Sequence, residues 1–272
     1  MDVLSFFGIV YLGARMPLNF KQLVETHALS PQDISESSRI IYETVLHQSS
    51  YLDAGNFTRV HPNDLRNLFD LYDQRFFAGG MRSLLDAATI SFRFSRRMTQ
   101  SGGKATRRIT RDRAGNPIRT EYEIAVSTAL LFETFREDLR PIGVSGLPCR
   151  DRLEALQRIF EHEIIHLIEG LLWELSSCAA PRFQSIANRF FGHTDHRHQL
   201  ITPRETAFRK YGIKPGDQVS FQFEGQNYVG IVNRITKRAT ILVEDSGGEW
   251  YTNGKRYEKF YIPVESLERV EA

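Results

Sequence analysis

The sequence predicts an α+β fold, in which helices pack on a short antiparallel sheet and a small all-β domain follows. Three observations lead to this prediction. A long helical pattern, apolar on most sides, runs from Asp151 to Leu175. Residues 88–94 and 122–126 alternate between apolar and polar side chains, as half-buried strands do. After residue 203 the pattern changes to short strands at intervals of about 8–12 residues.

The composition limits the classes of function. At 272 residues, the chain is long enough for one main domain and a smaller one. The net charge is only +2, so any nucleic-acid site must be local. The two cysteines, Cys149 and Cys178, are too few for a disulfide framework, which predicts a reducing compartment and a cytoplasmic protein.

The N-terminal segment is apolar from Val3 to Ala14. It is too short to span a bilayer, and Asp2 stands where a secretory signal carries positive charge. We therefore expect it to pack against the main domain, with a weak or cleaved leader as the alternative. We expect no association with membranes.

Two helices are predicted before the first strand. Ser30 and Pro31 are residue types that suit an N-cap and a first helical position, and this helix is expected to run to about Ser49. A second helix is expected to begin at His61 and to end before a glycine pair. Its apolar stripe consists of Leu65, Leu68, Phe69, Tyr72 and Phe76.

The two predicted strands are joined by a polar connection that contains Gly102, Gly103 and Gly115. Glycines and polar residues between two alternating segments are typical of a hairpin loop. The pattern therefore favours an antiparallel hairpin with a long, mobile tip.

This connection is also the most basic part of the chain. Residues 93–119 contain nine basic side chains and one acid, Asp112. Two interpretations stay open: a solvated loop, or an arm that contacts the phosphates of DNA or RNA without reading sequence. The second interpretation assigns nucleic-acid binding to Arg96, Arg97, Lys104, Arg107, Arg108 and Arg111.

The central helical pattern contains a His-Glu-x-x-His motif. Residues four apart lie on one helix face, so His162 and His166 can bind a single metal ion. The motif is typical of zinc-dependent peptidases, in which the intervening Glu163 takes a proton from metal-bound water. Glu169 is expected to accept a hydrogen bond from a ligand histidine. The alternative is a chance occurrence, which the apolar surroundings disfavour because polar groups are costly to bury.

Several segments resemble the SprT-like family, whose eukaryotic relatives include the Spartan proteases. The resemblance covers roughly residues 65–200. It rests on LFDLYDQRFF at 68–77, SRRMT at 95–99 with the following glycine pair, YEI at 122–124, the motif helix, and RFQ at 182–184. It implies a zincin-like metallopeptidase domain that holds Zn²⁺ through His162 and His166, with Glu163 as the catalytic base. The characterised eukaryotic members are DNA-associated and cleave proteins crosslinked to DNA, which favours the basic connection as a DNA contact.

The third zinc ligand is where the chain departs from this family. Members usually supply it from a His-Gly-Pro-x-Phe segment, but residues 179–183 here read Ala-Ala-Pro-Arg-Phe, so Ala179 replaces the histidine. Three explanations stay open: a substitute such as His193, two protein ligands completed by water, or a degenerate member. A distance of about 15–20 Å along a straight helix favours the last two. His193 also suits a helix C-terminus, and Cys178 is a nearby soft donor that is more simply interpreted as a small buried residue.

The C-terminal part predicts a small barrel. A turn at 214–217 precedes alternating apolar residues, and strands are expected near 219–223, 228–235, 239–243 and 260–262. The opening Pro-Gly-Asp-x-Val resembles SH3-like barrels. The sequence thus predicts a helical extension at 1–60, a SprT-like metallopeptidase domain at 61–203 and an SH3-like barrel at 204–272.

The predicted function is zinc-dependent hydrolysis of peptide bonds in a protein substrate, with DNA-associated proteins as candidates and the basic connection as a DNA contact. The alternative is a non-catalytic module that keeps the fold, lacks a complete zinc site and binds nucleic acid or protein.

Overall fold

A computed structural model describes residues 19–85, 89–136 and 140–270. Helices and strands both occur throughout these ranges, so the α+β class is confirmed. The predicted packing of the apolar segment at 3–14 lies outside the described residues. No helix within the described ranges is long and apolar enough to cross a membrane.

The N-terminal helices begin where their capping residues predict. They are α1 (Phe20–Thr26), α2 (Pro31–Gln48), α3 (Pro62–Phe77) and α4 (Gly80–Leu84). The side chain of Ser30 accepts a hydrogen bond from the backbone N–H of Asp33, and His61 and Asp64 cap the start of α3 reciprocally. α1, which the sequence analysis did not predict, is capped by Asn19.

The first sheet differs from the prediction in its strand directions. It contains β1 (Thr89–Ser95), β2 (Gly103–Arg111) and β3 (Pro117–Ser127), in the order β1-β3-β2. β1 pairs with β3 in parallel, and only β2 pairs with β3 antiparallel. The predicted antiparallel hairpin between the first two alternating segments is therefore wrong. The connection between them contains a strand of its own, and that additional strand lets β1 and β3 run in the same direction.

The central helix is surrounded by the other elements of the main core. After β3 come α5 (Thr128–Thr134), the short pair β4 (Ile142–Val144) and β5 (Leu147–Cys149), α6 (Arg152–Leu172) and α7 (Pro181–Phe191). Ser127 and Asp151 cap α5 and α6 as their residue types suggest. One face of α6 contacts β2 and β3, and other faces contact α2, α5 and α7. This enclosure explains why α6 is apolar on most sides.

The C-terminal part has its own apolar core. It comprises α8 (Pro203–Tyr211), β6 (Gln218–Phe223), β7 (Gln226–Ile235), β8 (Ala239–Trp250), β9 (Arg256–Ile262) and β10 (Glu268–Arg269). The strands form an antiparallel sheet in the order β10-β6-β7-β8-β9. The predicted strands are confirmed, whereas the SH3-like barrel stays a prediction. α8 was missed, although Thr202 caps it and Gly212 ends it in a left-handed conformation.

Arg152 joins three parts of the main core at the start of α6. It is 9% exposed. Its guanidinium donates hydrogen bonds to the backbone carbonyl oxygens of Asn56, Phe57, Leu131, Phe132 and Phe135. A planar cation with five N–H donors can satisfy these carbonyls together, and lysine has neither the shape nor the number of donors.

We expect Arg152→Lys to lower the free energy of unfolding by about 3 kcal/mol, because buried carbonyls and an ammonium group would be left without partners. Urea denaturation measures this change. The matched control is Arg150→Lys, since Arg150 lies two residues away with a side chain that is 84% exposed. The control should leave the free energy of unfolding nearly unchanged. Equal, small losses in both variants would contradict a structural role for Arg152.

Candidate metal centre

The motif histidines present two nitrogens at the separation of metal ligands. His162 and His166 lie one turn apart on α6, and their Nε2 atoms are 3.2 Å apart. Two nitrogens bound to one tetrahedral zinc ion at about 2.05 Å lie about 3.3 Å apart. The helical spacing read from the sequence therefore produces a pair of donors that fits one ion.

Hydrogen bonding sets the tautomer of His166. Its Nδ1 is 2.6 Å from the hydroxyl oxygen of Ser176, and that hydroxyl donates to Glu169 Oε2 at 2.6 Å. Because the hydroxyl proton is used on Glu169, His166 Nδ1 must be the donor to Ser176. The Nε2 atom of His166 then has a free lone pair for a metal. Glu169 thus acts on His166 through Ser176 instead of directly, and it is fixed by Arg182 Nε at 2.6 Å.

Both rings are held neutral. Burial, and next the proximity of His166, lower the pKa of His162 to about 3. Burial also lowers the pKa of His166. Neutral imidazole is the form that binds a metal ion, so the protein environment favours the ligand state at neutral pH.

Cys178 is the third donor that the structure brings to this pair. It lies in the segment between α6 and α7, and its Sγ and one ring nitrogen of each histidine all lie within 4.8 Å of one another. The group of His162, His166 and Cys178 could therefore hold a metal ion. The simpler interpretation of Cys178 as a small buried residue missed this arrangement. Its position next to Ala179, where members of the SprT-like family that the sequence resembles have a histidine, was the available signal.

His193 lies deep in the core instead. It is 3% exposed, and its Nε2 atom is 2.8 Å from Glu161 Oε2. Glu161 is fully buried and also accepts hydrogen bonds from Tyr72 Oη and Arg158 Nη1, both at 2.7 Å. Among the described residues, His193 does not join the group formed with His162 and His166. It follows Gly192 at the end of α7, as the helix-terminus interpretation expected.

Glu163 is buried against the first residues of β2. It is 4% exposed, and burial raises its pKa to about 8. A hydrogen bond from the backbone N–H of Ala105 lowers the pKa, but its effect is smaller than that of burial. Gly103 makes this contact possible, because a Cβ atom there would lie 2.6 Å from both Cγ and Oε1 of Glu163. The glycine on β2 therefore fixes where the carboxyl group lies.

Two cavities meet at the motif. The larger, about 380 Å³, lies between β2 and the C-terminal half of α6, and Arg107 and Glu174 line its far part. The smaller, about 160 Å³, is lined by His198 among others. Both are lined by His162 and Glu163. The motif thus lines both cavities, which we together call the groove, and two cavities beside one motif suit an extended chain.

The predicted nucleic-acid-binding residues do not all face the same way. Arg96 and Arg97 are exposed in the turn after β1, and Lys104, Arg108 and Arg111 are exposed on β2. Arg107 lies on the face of β2 opposite to Lys104 and Arg108, in the larger cavity. Strand alternation separates it from its neighbours on both sides.

Acids from β3 reduce the positive charge of this region. Arg93 Nε is 2.9 Å from Glu123 Oε1, and Arg119 Nη2 is 2.8 Å from Glu121 Oε1. The count over residues 93–119 omitted these acids because they lie just beyond that range. The excess of positive charge on the folded surface is therefore smaller than the sequence count indicated.

No protein-family model, curated protein or solved structure matches the chain.

We expect Cys178→Ser to abolish the thiolate-to-metal charge-transfer absorption that Co²⁺ produces in the wild-type protein, and to weaken Zn²⁺ binding at least about tenfold. Spectroscopic titration measures both quantities. Cys149→Ser is the matched control, because Cys149 is buried and burial raises the pKa of its thiol to about 12. An unchanged absorption in Cys178→Ser would show that Cys178 is not a ligand.

Proposed function

We propose that this protein is a zinc-dependent metallopeptidase of the SprT-like type, acting on protein substrates. The observation that carries the proposal is the pair of Nε2 atoms 3.2 Å apart, with the Cys178 sulfur close by and Glu163 beside them in a two-sided groove.

The donor set favours zinc over harder cations. Two imidazoles and a thiolate suit Zn²⁺, whereas Mg²⁺ and Ca²⁺ prefer oxygen ligands. A bound zinc ion would polarise the scissile carbonyl and lower the pKa of a water molecule. The fixed tautomer of His166 and the neutral rings of both histidines prepare the site for such an ion.

Glu163 has the role of general base and proton shuttle. The Ala105 N–H holds its carboxyl group next to β2, at the point where both cavities meet. A metal ion held by His162 and His166 would favour the ionised form of Glu163, which can accept a proton from water. Burial in turn lets the protonated form persist until the proton passes to the leaving amine.

The exposed cations of the first sheet support a nucleic-acid contact near the groove. Arg96, Arg97, Lys104, Arg108 and Arg111 lie on or next to the strand that borders the motif. Phosphates bound there would place a DNA-associated protein beside the groove. The alternative is a non-catalytic binding module, and the measurement of protein cleavage distinguishes it from a peptidase.

We expect Glu163→Gln to lower the rate of cleavage of an unfolded protein by about 10²–10⁴-fold, while zinc content stays the same, because the base is removed and the ligands are kept. Timed electrophoresis and metal analysis measure these quantities. Glu43→Gln, at an exposed position on α2, is the matched control. Unchanged cleavage in Glu163→Gln would contradict a metallopeptidase mechanism, and the absence of both cleavage and stoichiometric zinc in the wild type would favour the non-catalytic module.

We expect the double variant Arg108→Gln and Arg111→Gln to bind duplex DNA more weakly and with a smaller salt dependence. The slope of the logarithm of affinity against the logarithm of salt concentration should fall by about 0.9 for each DNA phosphate that the variant no longer neutralises. Fluorescence anisotropy at several salt concentrations measures the slope. Arg39→Gln, on α2, is the control. An unchanged slope in the double variant would exclude this surface as the DNA-binding surface.

A further inference from the structure

We propose that the larger cavity is a binding subsite for an acidic side chain of the substrate, and that Arg107 recognises its carboxylate. The proposal rests on the proposed peptidase function. It adds a substrate preference that the metal centre alone does not imply.

Arg107 points into the groove from β2. It pairs across the sheet with Tyr122, on the face that contacts α6, and lines the same cavity as His162, Glu163 and His166. Its side chain is 24% exposed. The guanidinium is thus partly shielded from water, and its buried N–H groups require hydrogen-bond acceptors.

Among the described residues, the guanidinium of Arg107 has too few hydrogen-bond acceptors for all of its N–H groups. Within the described ranges, the buried Nε of Arg107 has no hydrogen-bond partner. The guanidinium interacts with the hydroxyl of Tyr122 and with one carboxylate, Glu174 Oε1, at 3.3 Å from Nη2, and the side chain of Glu174 is 73% exposed. An ion pair with so exposed an acid is weak and readily exchanged. Arg107 therefore retains the capacity to bind a second carboxylate or to exchange Glu174 for one.

Glu174 shows which kind of group fits beside Arg107. It lies just after α6 with a φ of 64°, a left-handed conformation that is unfavourable for a residue with a Cβ atom. Helices commonly end with a residue in this conformation, and Glu174 directly follows the C-cap of α6. The carboxylate placed there by the helix end occupies the position that we assign to the substrate's carboxylate.

The size and charge of the cavity favour a side chain over a nucleic-acid phosphate. A volume of about 380 Å³ accommodates a few side chains but not a duplex. Its lining includes the acids Glu123 and Glu174 as well as the cations Lys104 and Arg107, so its charges offset one another and favour a single carboxylate at Arg107 over a polyanion.

The subsite lies close to the reacting bond. Arg107 is two strand residues beyond Ala105, whose N–H contacts Glu163. Two residues of a strand span about 7 Å, and an extended peptide advances at a similar rate. Arg107 is therefore positioned to contact a side chain about two residues from the scissile bond.

Cleavage of matched peptides tests the proposal. Peptides that carry Glu, Gln or Lys at each of three positions on either side of one scissile bond are compared by kcat/KM. We expect the wild type to prefer Glu over Gln about tenfold at one position. Arg107→Gln should remove this preference, and Arg107→Glu should shift it towards Lys. Arg119→Gln should keep it, because Arg119 is 62% exposed and pairs with Glu121 in the same sheet.

Binding provides a readout that does not need turnover. The zinc-loaded Glu163→Gln protein should bind the Glu peptide more tightly than the Gln peptide, and the additional change Arg107→Gln should abolish the difference. Adding Glu174→Gln instead should tighten binding of the Glu peptide a few-fold, because a competing carboxylate is removed. Circular dichroism of each variant confirms that it is folded.

The failures of the two proposals are distinguishable. Peptide cleavage with no preference for Glu at any position would overturn the acidic subsite and leave the peptidase function intact. No cleavage by the wild type, together with an Arg107-dependent preference in binding, would overturn only the peptidase function. If an oligonucleotide displaces the Glu peptide equally from the wild type and from Arg119→Gln, but does not bind Arg107→Gln, the cavity binds phosphate and the acidic subsite is wrong.

Discussion

The contact between α6 and β2 is the constraint on which the rest of the site depends. Gly103 allows the strand to approach Glu163 so closely that a single methyl group would overlap its carboxyl group. The same approach brings the Ala105 N–H to Glu163 and places Arg107 along the groove. Both cavities follow from it, because β2 forms part of the wall of each. The position of one glycine thus determines how closely β2 approaches the motif.

The polar residues of α6 lie on different faces of the helix, and each face has its own set of partners. Glu161 faces the aromatic core, where Tyr72, Arg158 and His193 satisfy its carboxylate. Glu169 faces the segment after the helix and fixes Ser176. The histidines between them face the groove with their Nε2 atoms, and Glu169 reaches His166 only through Ser176. This division explains how a nearly buried helix can carry two structural acids and still expose a pair of metal donors.

Local signals predicted the helices better than the strands. Ser30, Ser127 and Asp151 cap helices as their residue types indicate, because a cap depends only on the residues that follow it. The start of α3 after His61 is indicated by Pro62 at the first helical position. Strand direction depends on pairing between distant segments. The alternation in β1 and β3 therefore predicted two strands correctly but not their parallel orientation, nor the presence of β2 between them in the chain.

The sequence by itself determined the central helix, its cap and the placement of His162, Glu163 and His166 on one face, since these follow from helical periodicity. Only the tertiary structure decided which other residues join them. It brought Cys178 to the histidines, directed His193 to Glu161, and separated Arg107 from Arg108 across the sheet. Each of these outcomes depends on where a turn or a strand lies relative to a helix distant in sequence. No local pattern contains that information.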